Sequence, residues 1–374
     1  MKKTIKYIQY PTERDVLFVF GAGTSHPDGV PLQRDILPII LNDKEIASSE
    51  IGKIVVQFIK DNFVYDEESN EYPNLESIFL YLDYFIRQNE SLSKKYSNSI
   101  IHEIKEYLIK LIHHIVNMNT EQTSSIYHKF WDVVEKYNTN ISVITLNYDT
   151  LLEQAFQQMY KRIGYIDYSF HLMNYEKSKK LEFFNYWINP REPLLTDVDS
   201  NPVPFKIIKL HGSLNWKYCN CCNQTLLTPW DRKIDLNMGK LTWYSERANE
   251  TFEYICPLDG TSFETLILTP SFTQNLNRQV FAQLIAEAGR EIRAAKKIVF
   301  VGYSLSNADV HVRAIFKKNL SQDTQVIVIN PRFTKSLELK YQSIAPTAEF
   351  VNSTFEDFVE NENLLSNIFK QIAD

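Results

Sequence analysis

Three groups of polar residues that could bind a ligand or move a proton follow apolar stretches of the chain. The turn Gly21–Ser25 carries two glycines and two hydroxyls, Asn147–Asp149 carries an amide and a carboxyl group, and His211 carries an imidazole. Glycines let a ligand such as a phosphate approach the main chain, and an imidazole can take up a proton near neutral pH. Together these residue types could bind a phosphate-bearing ligand and carry out acid–base chemistry.

Each of these groups also has a purely structural interpretation. The turn lacks the third glycine of the dinucleotide-binding fingerprint, where this chain has His26, and the fingerprint's acidic residue would fall near Asp43. Gly21–Ser25 could therefore be an ordinary turn between a strand and a helix. Asp149 could cap the helix that follows it, and a single histidine such as His211 is more often structural than catalytic.

The elements that would position these residues are short apolar runs, rich in β-branched and aromatic residues, which we interpret as buried strands. The predicted strands are Val16–Phe20, Ile141–Leu146, Phe205–Leu210, Leu266–Ser271, Lys297–Gly302 and Gln325–Asn330. Helical patterns separate most of them, which predicts an α/β fold with a parallel sheet. Open sheets of this kind gather their ligand contacts at the carboxyl ends of the strands, where this chain repeatedly places polar residues.

Helical periodicity dominates residues 42–138, which we predict to be a helical insertion, and the end of the chain. Apolar residues recur at helical spacing in three spans: 75–86, 98–118 and 126–137. His113 and His114 would point about 100° apart on a helix, which favours a solvated or core-edge role over a shared ligand. Residues 335–374 are predicted to form amphipathic helices that pack onto the domain, with a subunit interface as the alternative.

The composition fits a globular protein and indicates no particular partner. The chain has 374 residues, is 44% hydrophobic and carries a formal net charge of -6 with a pI near 5.8. We expect two or three domains and no binding of nucleic acid by charge alone. No stretch approaches the ~18 uninterrupted apolar residues of a membrane span, and no secretion signal is evident. We therefore expect a cytoplasmic protein without a membrane partner.

Four cysteines are too few for a disulfide framework in a chain of this length. Cys219 and Cys222 have C-x-x-C spacing, and the stretch from Cys256 to Gly260 resembles half of a zinc knuckle in which Asp259 replaces a cysteine. Three thiolates and a carboxylate could hold zinc, but a site that has lost its metal has the same sequence. We assign no metal ligand from the sequence, and zinc stays an alternative.

Five motifs stand after predicted strands in the order found in the sirtuin family. They are Gly21-Ala22-Gly23-Thr24-Ser25, Asn147-Tyr148-Asp149, His211-Gly212, Gly302-Tyr303-Ser304 and Asn330-Pro331. A helical insertion and a cysteine-bearing segment also occupy the family's places, so the chain resembles sirtuins over most of residues 15–331. The resemblance implies four regions: a Rossmann-like NAD-binding domain at 1–41 and 139–334, the helical insertion at 42–138, a degenerate zinc-ribbon-like insertion at 213–268 and a helical tail at 335–374.

Sirtuins use NAD as a substrate and cleave the bond between its nicotinamide and ribose. The resemblance implies that Asn147 lies beside the nicotinamide ribose with an ordered water, that Asp149 holds the carboxamide and that His211 is the general base. Cleavage builds positive charge on the ribose, so an amide and an imidazole suit this chemistry. The other implied cofactor-binding residues are Gly21, Ala22, Gly23 and Ser25 at the pyrophosphate, Gly302 and Ser304 near phosphate or ribose, Asn330 at the adenosine ribose, and Arg34.

The chain departs from protein-deacylating sirtuins at one loop. Where those enzymes have Gly-Ile-Pro-Asp-Phe-Arg, this chain has Gly29-Val-Pro-Leu-Gln-Arg34, which loses the Asp and the Phe that closes over nicotinamide. No acyl-lysine-binding strand is recognisable between Thr269 and Asn277. These losses resemble the sirtuin-like branch of bacterial anti-phage effectors, in which water takes the ribose. We therefore predict an NAD+ hydrolase that forms ADP-ribose and depletes NAD when activated.

Effectors of this branch act with other components. The resemblance implies activation through homo-oligomerisation or through a separate partner such as a HerA-class hexameric ATPase. Two other functions stay open at this stage, namely an NAD-dependent protein deacylase and a non-catalytic subunit that senses NAD or ADP-ribose.

Overall fold

A computed structural model describes residues 3–66, 71–120, 123–173, 186–190, 192–198, 201–228, 233–245, 250–269 and 278–370. The chain divides into two units. Unit 1 comprises Met1–Asp28, Gln122–Gly212 and Leu276–Asp374, and unit 2 comprises Gly29–Glu121 and Ser213–Asn275. Residues 270–277, where the sequence shows no acyl-lysine-binding strand, lie outside the described part of the chain.

The strands are, in chain order within the described residues, β1 (Lys3–Lys6), β2 (Arg14–Phe20), β3 (Ile141–Thr145), β4 (Gly164–Asp167), β5 (Trp187–Ile188), β6 (Leu194–Asp197), β7 (Val203–Lys209), β8 (Gly212–Tyr218), β9 (Thr225–Leu227), β10 (Lys233–Asp235), β11 (Lys240–Ser245), β12 (Glu250–Glu253), β13 (Glu264–Ile267), β14 (Ala295–Val301), β15 (Gln325–Asn330) and β16 (Glu349–Asn352).

The α-helices of the same residues are α1 (Gln33–Asn42), α2 (Lys44–Ser48), α3 (Glu50–Asn62), α4 (Leu75–Gln88), α5 (Asn98–Met118), α6 (Ser125–Tyr137), α7 (Leu151–Gln157), α8 (Tyr160–Ile163), α9 (Gln279–Ala294), α10 (Val310–Asn319), α11 (Lys335–Gln342), α12 (Phe355–Glu360) and α13 (Glu362–Phe369). Short 3-10 turns cover Ala22–Thr24 and His26–Asp28. Among the described residues, no helix combines the length and the apolar character that crossing a bilayer requires.

Unit 1 is built on an eight-stranded sheet with the order β16-β15-β14-β2-β3-β7-β4-β5. Every neighbouring pair is parallel, which confirms the predicted α/β fold with its parallel, Rossmann-like sheet. The central strands are apolar on both faces because helices cover both sides of such sheets. Phe20 of β2 stands beside Thr145 of β3 and Val301 of β14, and Thr145 stands beside Lys209 of β7. The carboxyl ends of these strands therefore lie at one edge.

Aromatic side chains fill one face of this sheet. The Phe130 ring of α6 packs edge-on against Phe18 and Phe20 of β2, with centroids 5.2 and 5.1 Å apart. The C-terminal helices add Phe355, 5.4 Å from Phe20, and Phe369, 5.9 Å from Phe18. The tail thus packs onto its own unit, as predicted, and contributes the edge strand β16 that the sequence pattern did not reveal. Helix α6, grouped with the helical insertion from its periodicity, packs on this sheet as well.

Unit 2 combines helices α1 to α5 with two small sheets, β13-β8-β9 and β10-β11-β12. The predicted helices over 75–86 and 98–118 are confirmed as α4 and α5. The prediction that Leu266–Ser271 continues the large parallel sheet is wrong, because the strand there, β13, pairs with β8. A short run of strand-forming residues cannot show which sheet it joins, since periodicity reports burial and not the strand's neighbour. His113 is buried and not solvated; its Nδ1 lies 2.7 Å from Thr265 Oγ1.

Candidate functional site

The side chain of Asn147 joins the end of β3 to the turn after β2. Its Nδ2 donates to Gly21 O, Thr24 Oγ1 and Ser25 Oγ, each at 3.1 Å. Asn147 is only 8% exposed, so these bonds fix the position of the amide at the carboxyl edge of the sheet. The structure therefore brings the predicted catalytic amide and the predicted phosphate-binding turn into direct contact.

Tyr127 of α6, which the sequence pattern does not single out, completes this network. Its hydroxyl lies 2.8 Å from Thr24 Oγ1 and 3.0 Å from Ser25 Oγ. Burial raises the pKa of Tyr127 above its usual value, and the nearby Asp149 carboxyl adds to the effect, so the hydroxyl keeps its proton. Tyr127 lies on the apolar face of an amphipathic helix, where a tyrosine with a role in the site looks like any core tyrosine.

The glycines of the turn are required by main-chain packing against the end of β14. A Cβ on Gly21 would lie 2.5 Å from Tyr303 Cα, and a Cβ on Gly23 would lie 2.8 Å from Gly302 O. Gly23 N also donates to Gly302 O at 2.9 Å, and Gly302 has a φ of +61° that favours glycine. We expected the glycines to let a ligand approach the main chain. In the structure the turn at Gly302 makes this close approach, while Ala22 remains exposed.

Asp149 is anchored at the start of α7 beside a buried ion pair. Its Oδ1 accepts from Leu151 N at 3.2 Å, but the N-cap position of α7 belongs to Thr150, so Asp149 supports the turn before the helix and does not cap it. Burial raises the pKa of Asp149, although the Lys209 ammonium opposes this. Lys209 Nζ in turn donates to Asp149 O and, at 2.8 Å, to Glu153 Oε1. A contact between Asp149 and a ligand stays a prediction.

His211 lies between a main-chain carbonyl and a carboxylate. Its Nδ1 lies 3.2 Å from Leu146 O, which requires that Nδ1 carry a proton and donate. Its Nε2 lies 3.2 Å from Asp309 Oδ1 but makes no hydrogen bond within the described residues. The other oxygen, Asp309 Oδ2, accepts from Tyr303 Oη at 2.7 Å.

Asp309 precedes α10, yet its side chain makes no cap bond to that helix and faces His211 and Tyr303 instead. Burial works against ionisation of Asp309, but the neighbouring His211 and the Tyr303 hydroxyl outweigh it and lower the pKa of this carboxyl. His311 follows closely, with its ring centroid 5.4 Å from that of His211. Burial lowers the pKa of His311 to about 4. The polar residues after β14 are visible in the sequence, but their contact with His211 is not.

Asn330 and Ser304 occupy the remaining strand ends at this edge. Asn330 Nδ2 donates to Tyr303 O at 3.3 Å, and Tyr341 Oη donates to the same carbonyl at 2.7 Å. These bonds hold the loop after β14, in which the buried Leu305 adopts a positive φ of 51°. Ser304 is exposed.

Arg34 belongs to unit 2, whereas the other predicted cofactor-binding residues belong to unit 1. It lies in the first turn of α1 with its side chain 81% exposed, and its Nε lies 3.7 Å from Asp35 Oδ1. An exposed ion pair of this kind stabilises little, so the guanidinium can exchange it for another anion.

Unit 2 also gathers Cys219, Cys222, Cys256 and Asp259, whose ligand atoms all lie within 4.8 Å of one another. Cys222 Sγ is 3.7 Å from Cys256 Sγ, and Cys219 Sγ is 3.3 Å from Asp259 Oδ2. Burial raises the pKa of Cys222 to about 12. Three sulfurs and one carboxylate in this arrangement fit a tetrahedral zinc ion; that zinc binds here is a proposal, and the site residues assigned from sequence include no metal ligand.

A parallel sheet with a glycine turn, an amide and an imidazole at its carboxyl edge defines a Rossmann-like protein, a class in which ligands bind where the strand order reverses. The chain belongs to the SIR2-like domain family, whose model matches residues 141–347. No curated protein sequence matches it.

Solved structures of Sir2 proteins resemble the chain at low identity. One is the crystal structure of a Sir2 homolog–NAD complex, 14% identical, with a TM-score of 0.47 over 96% of this chain and 91% of that chain. Another is Sir2 bound to acetylated peptide, 14% identical, with a TM-score of 0.43 over 93% and 91% of the two chains.

Proposed function

We propose that the protein is an NAD+ hydrolase that uses water to cleave the bond between nicotinamide and ribose, giving nicotinamide and ADP-ribose. The observation that carries the proposal is the pair Asn147 and His211, placed at the carboxyl ends of β3 and β7 in a chain of the SIR2-like family. The same sheet edge holds the glycine turn and the ends of β14 and β15, which supports an NAD site along several strand ends.

The proposed roles follow from the contacts of each side chain. The amide of Asn147, fixed by three bonds from Nδ2, is positioned to stabilise positive charge on the ribose and to orient a water. The Nδ1 of His211 donates to Leu146 O, so Nε2 is the nitrogen that takes the proton from the attacking water.

The binding residues keep the roles expected from the sequence. Gly21, Ala22, Gly23 and Ser25 would line the pyrophosphate, Gly302 and Ser304 a phosphate or ribose, Asn330 the adenosine ribose, Asp149 the carboxamide, and Arg34 would also bind the cofactor. The Ser25 hydroxyl already bonds Tyr127 and Asn147, so we propose that it supports Asn147 as well.

Hydrolysis is favoured over deacylation by the loop Gly29–Arg34. It lacks the Asp and Phe that protein-deacylating sirtuins carry there. We further propose an anti-phage role in the cytoplasm, with activation by self-association or by a partner such as a HerA-class ATPase. A deacylase remains the second candidate because the family includes such enzymes, and a non-catalytic NAD or ADP-ribose sensor is the third.

The test is nicotinamide release from NAD by the full chain, alone and together with the product of its neighbouring gene. We expect release that falls by ~100-fold or more in Asn147→Ala and His211→Ala, while the exposed control His102→Ala keeps full activity. Acyl-ADP-ribose formed only with an acylated peptide would establish the deacylase instead. Binding of NAD by calorimetry without turnover under any condition would leave the sensor.

A further inference from the structure

Three side chains of types that can bind metal ions lie close together at the carboxyl edge of the sheet in unit 1. They are His211, Asp309 and His311. Their ligand atoms all lie within 4.8 Å of one another. The two histidines are partly buried, and Asp309 is 6% exposed. Two imidazoles and one carboxylate with room for further ligands are a donor set that divalent transition metals use.

Hydrogen bonding directs lone pairs toward the centre of this cluster. Because His211 Nδ1 donates to Leu146 O, the lone pair of a neutral His211 is on Nε2, which faces Asp309 Oδ1. The carbonyl of Leu146 thus has the position of the outer partner that fixes the tautomer of metal-binding histidines. The Tyr303 hydroxyl is the corresponding outer partner of Asp309. It donates to Oδ2 at 2.7 Å, so Oδ1 is the carboxylate oxygen that faces the two histidines.

Within the described part of the chain, the inner nitrogen atoms lack well-aligned hydrogen bonds, and the contact between His211 Nε2 and Asp309 Oδ1 is an ion pair only when the imidazole is protonated. His211 Nε2 and both ring nitrogens of His311 are buried and make no hydrogen bond to the described residues, and buried polar atoms in that state are uncommon. The separation of 3.2 Å between His211 Nε2 and Asp309 Oδ1 is close to the ~3.3 Å between two tetrahedral ligands that each lie ~2.0–2.1 Å from zinc. One cation would satisfy all three side chains.

We propose that His211 Nε2, Asp309 Oδ1 and a ring nitrogen of His311 bind a divalent transition-metal ion of the zinc class. The inhibitory part of the proposal rests on the proposed function: the ion occupies the nitrogen that NAD cleavage needs, so metal binding switches the site off. The set is separate from the cysteine cluster of unit 2, because it contains no sulfur and no residue of that unit.

The test is a titration of the chelator-treated full chain with Co²⁺ and then Zn²⁺. We expect one equivalent of cobalt with visible ligand-field bands and no thiolate charge-transfer band, in addition to any thiolate-bound equivalent at the cysteines. His311→Ala should weaken the sulfur-free equivalent by ~100-fold or more, and Tyr303→Phe by ~10- to 100-fold. His102→Ala, on an exposed face of α5, is the matched control and should bind like wild type.

Two further measurements keep the outcome clear. X-ray absorption of the cobalt-loaded wild-type chain needs no variant and should show nitrogen and oxygen ligands; purely sulfur-bound cobalt would overturn the proposal, as would equal sulfur-free binding in wild type and His311→Ala. If the chain releases nicotinamide, zinc should inhibit wild type and leave His311→Ala uninhibited. Metal binding without NAD cleavage would contradict the proposed function but support this metal site. NAD cleavage without metal binding would support the proposed function but contradict the metal site.

Discussion

Lys209 in unit 1 and Lys217 in unit 2 are both 1% exposed, yet their surroundings are opposite. Lys209 Nζ lies 2.8 Å from the buried Glu153 carboxylate. Lys217 Nζ donates to Leu214 O and, at 3.1 Å, to Thr265 Oγ1, and no carboxylate pairs with it in the described part of the chain. Burial therefore lowers the pKa of Lys217 well below its usual value.

The difference shows two ways of burying an amine. In unit 1 an ion pair anchors α7 directly behind Asn147–Asp149, so the charge serves to position the candidate site. In unit 2 the amine sits in a polar chain inside the core, where Thr265 Oγ1 also lies 2.7 Å from His113 Nδ1. Burial lowers the pKa of His113 as well. The buried bases Lys217 and His113 of unit 2 thus share one threonine hydroxyl, whereas the buried Lys209 of unit 1 is paired with a carboxylate.

The largest effect is expected from Lys209→Met. The substitution leaves Glu153 buried without its cation, and breaking one side of a buried pair costs about 3–5 kcal/mol of the free energy of unfolding. Urea unfolding of the full chain measures the loss. Lys209→Met combined with Glu153→Met should recover most of it; a single variant within about 1 kcal/mol of wild type would mean that the pair does not stabilise unit 1.

Lys217→Met should act in the opposite direction. It removes an amine that must lose its proton to be buried and keeps an apolar side chain of similar length, so we expect a gain of about 2 kcal/mol at pH 7. The exposed control Lys233→Met should stay within about 0.5 kcal/mol of wild type. Hydrogen exchange of peptides that span 212–218 locates the gain in unit 2. A loss as large as that of Lys209→Met would erase the distinction between the two lysines.

How far the sequence predicts these features depends on what its pattern can report. Strand apolarity and the polar residues after each strand predict the parallel sheet and place Asn147 and His211 at one edge. The pattern does not report partners across the fold, so it missed the Tyr127 hydroxyl, the contact of Asp309 with His211 and the membership of β13. For the same reason the sequence does not show that Lys209, in the predicted strand Phe205–Leu210, is buried with a carboxylate, whereas Lys217, in the predicted ribbon-like insertion, is buried without one among the described residues.

The pH dependence of stability separates the lysines further. The folded-state pKa of Lys217 is lowered, so between that pKa and the unfolded value near ~10.4 the unfolded chain binds the extra proton, and stability rises with pH. The advantage of Lys217→Met over wild type should therefore shrink by about 1 kcal/mol per pH unit between pH 7 and 8.5. The difference in free energy of unfolding between Lys217→Met and wild type cancels the contributions of cysteines and tyrosines, because these residues titrate in both chains. An advantage that is flat with pH would show that the buried amine is charged.

The smallest effect is expected at Thr265, which connects the two bases of unit 2. In the tautomer of neutral His113 that carries its proton on Nε2, Nδ1 accepts from the Thr265 hydroxyl, and that hydroxyl accepts from Lys217 Nζ. Thr265→Val removes both bonds and should lower the free energy of unfolding by about 1 kcal/mol. In the Lys217→Met background the cost should be smaller, because only the bond to His113 remains to be lost. A double-mutant cycle measures this coupling; costs that add within about 0.3–0.5 kcal/mol would mean that Lys217 and His113 are buried independently.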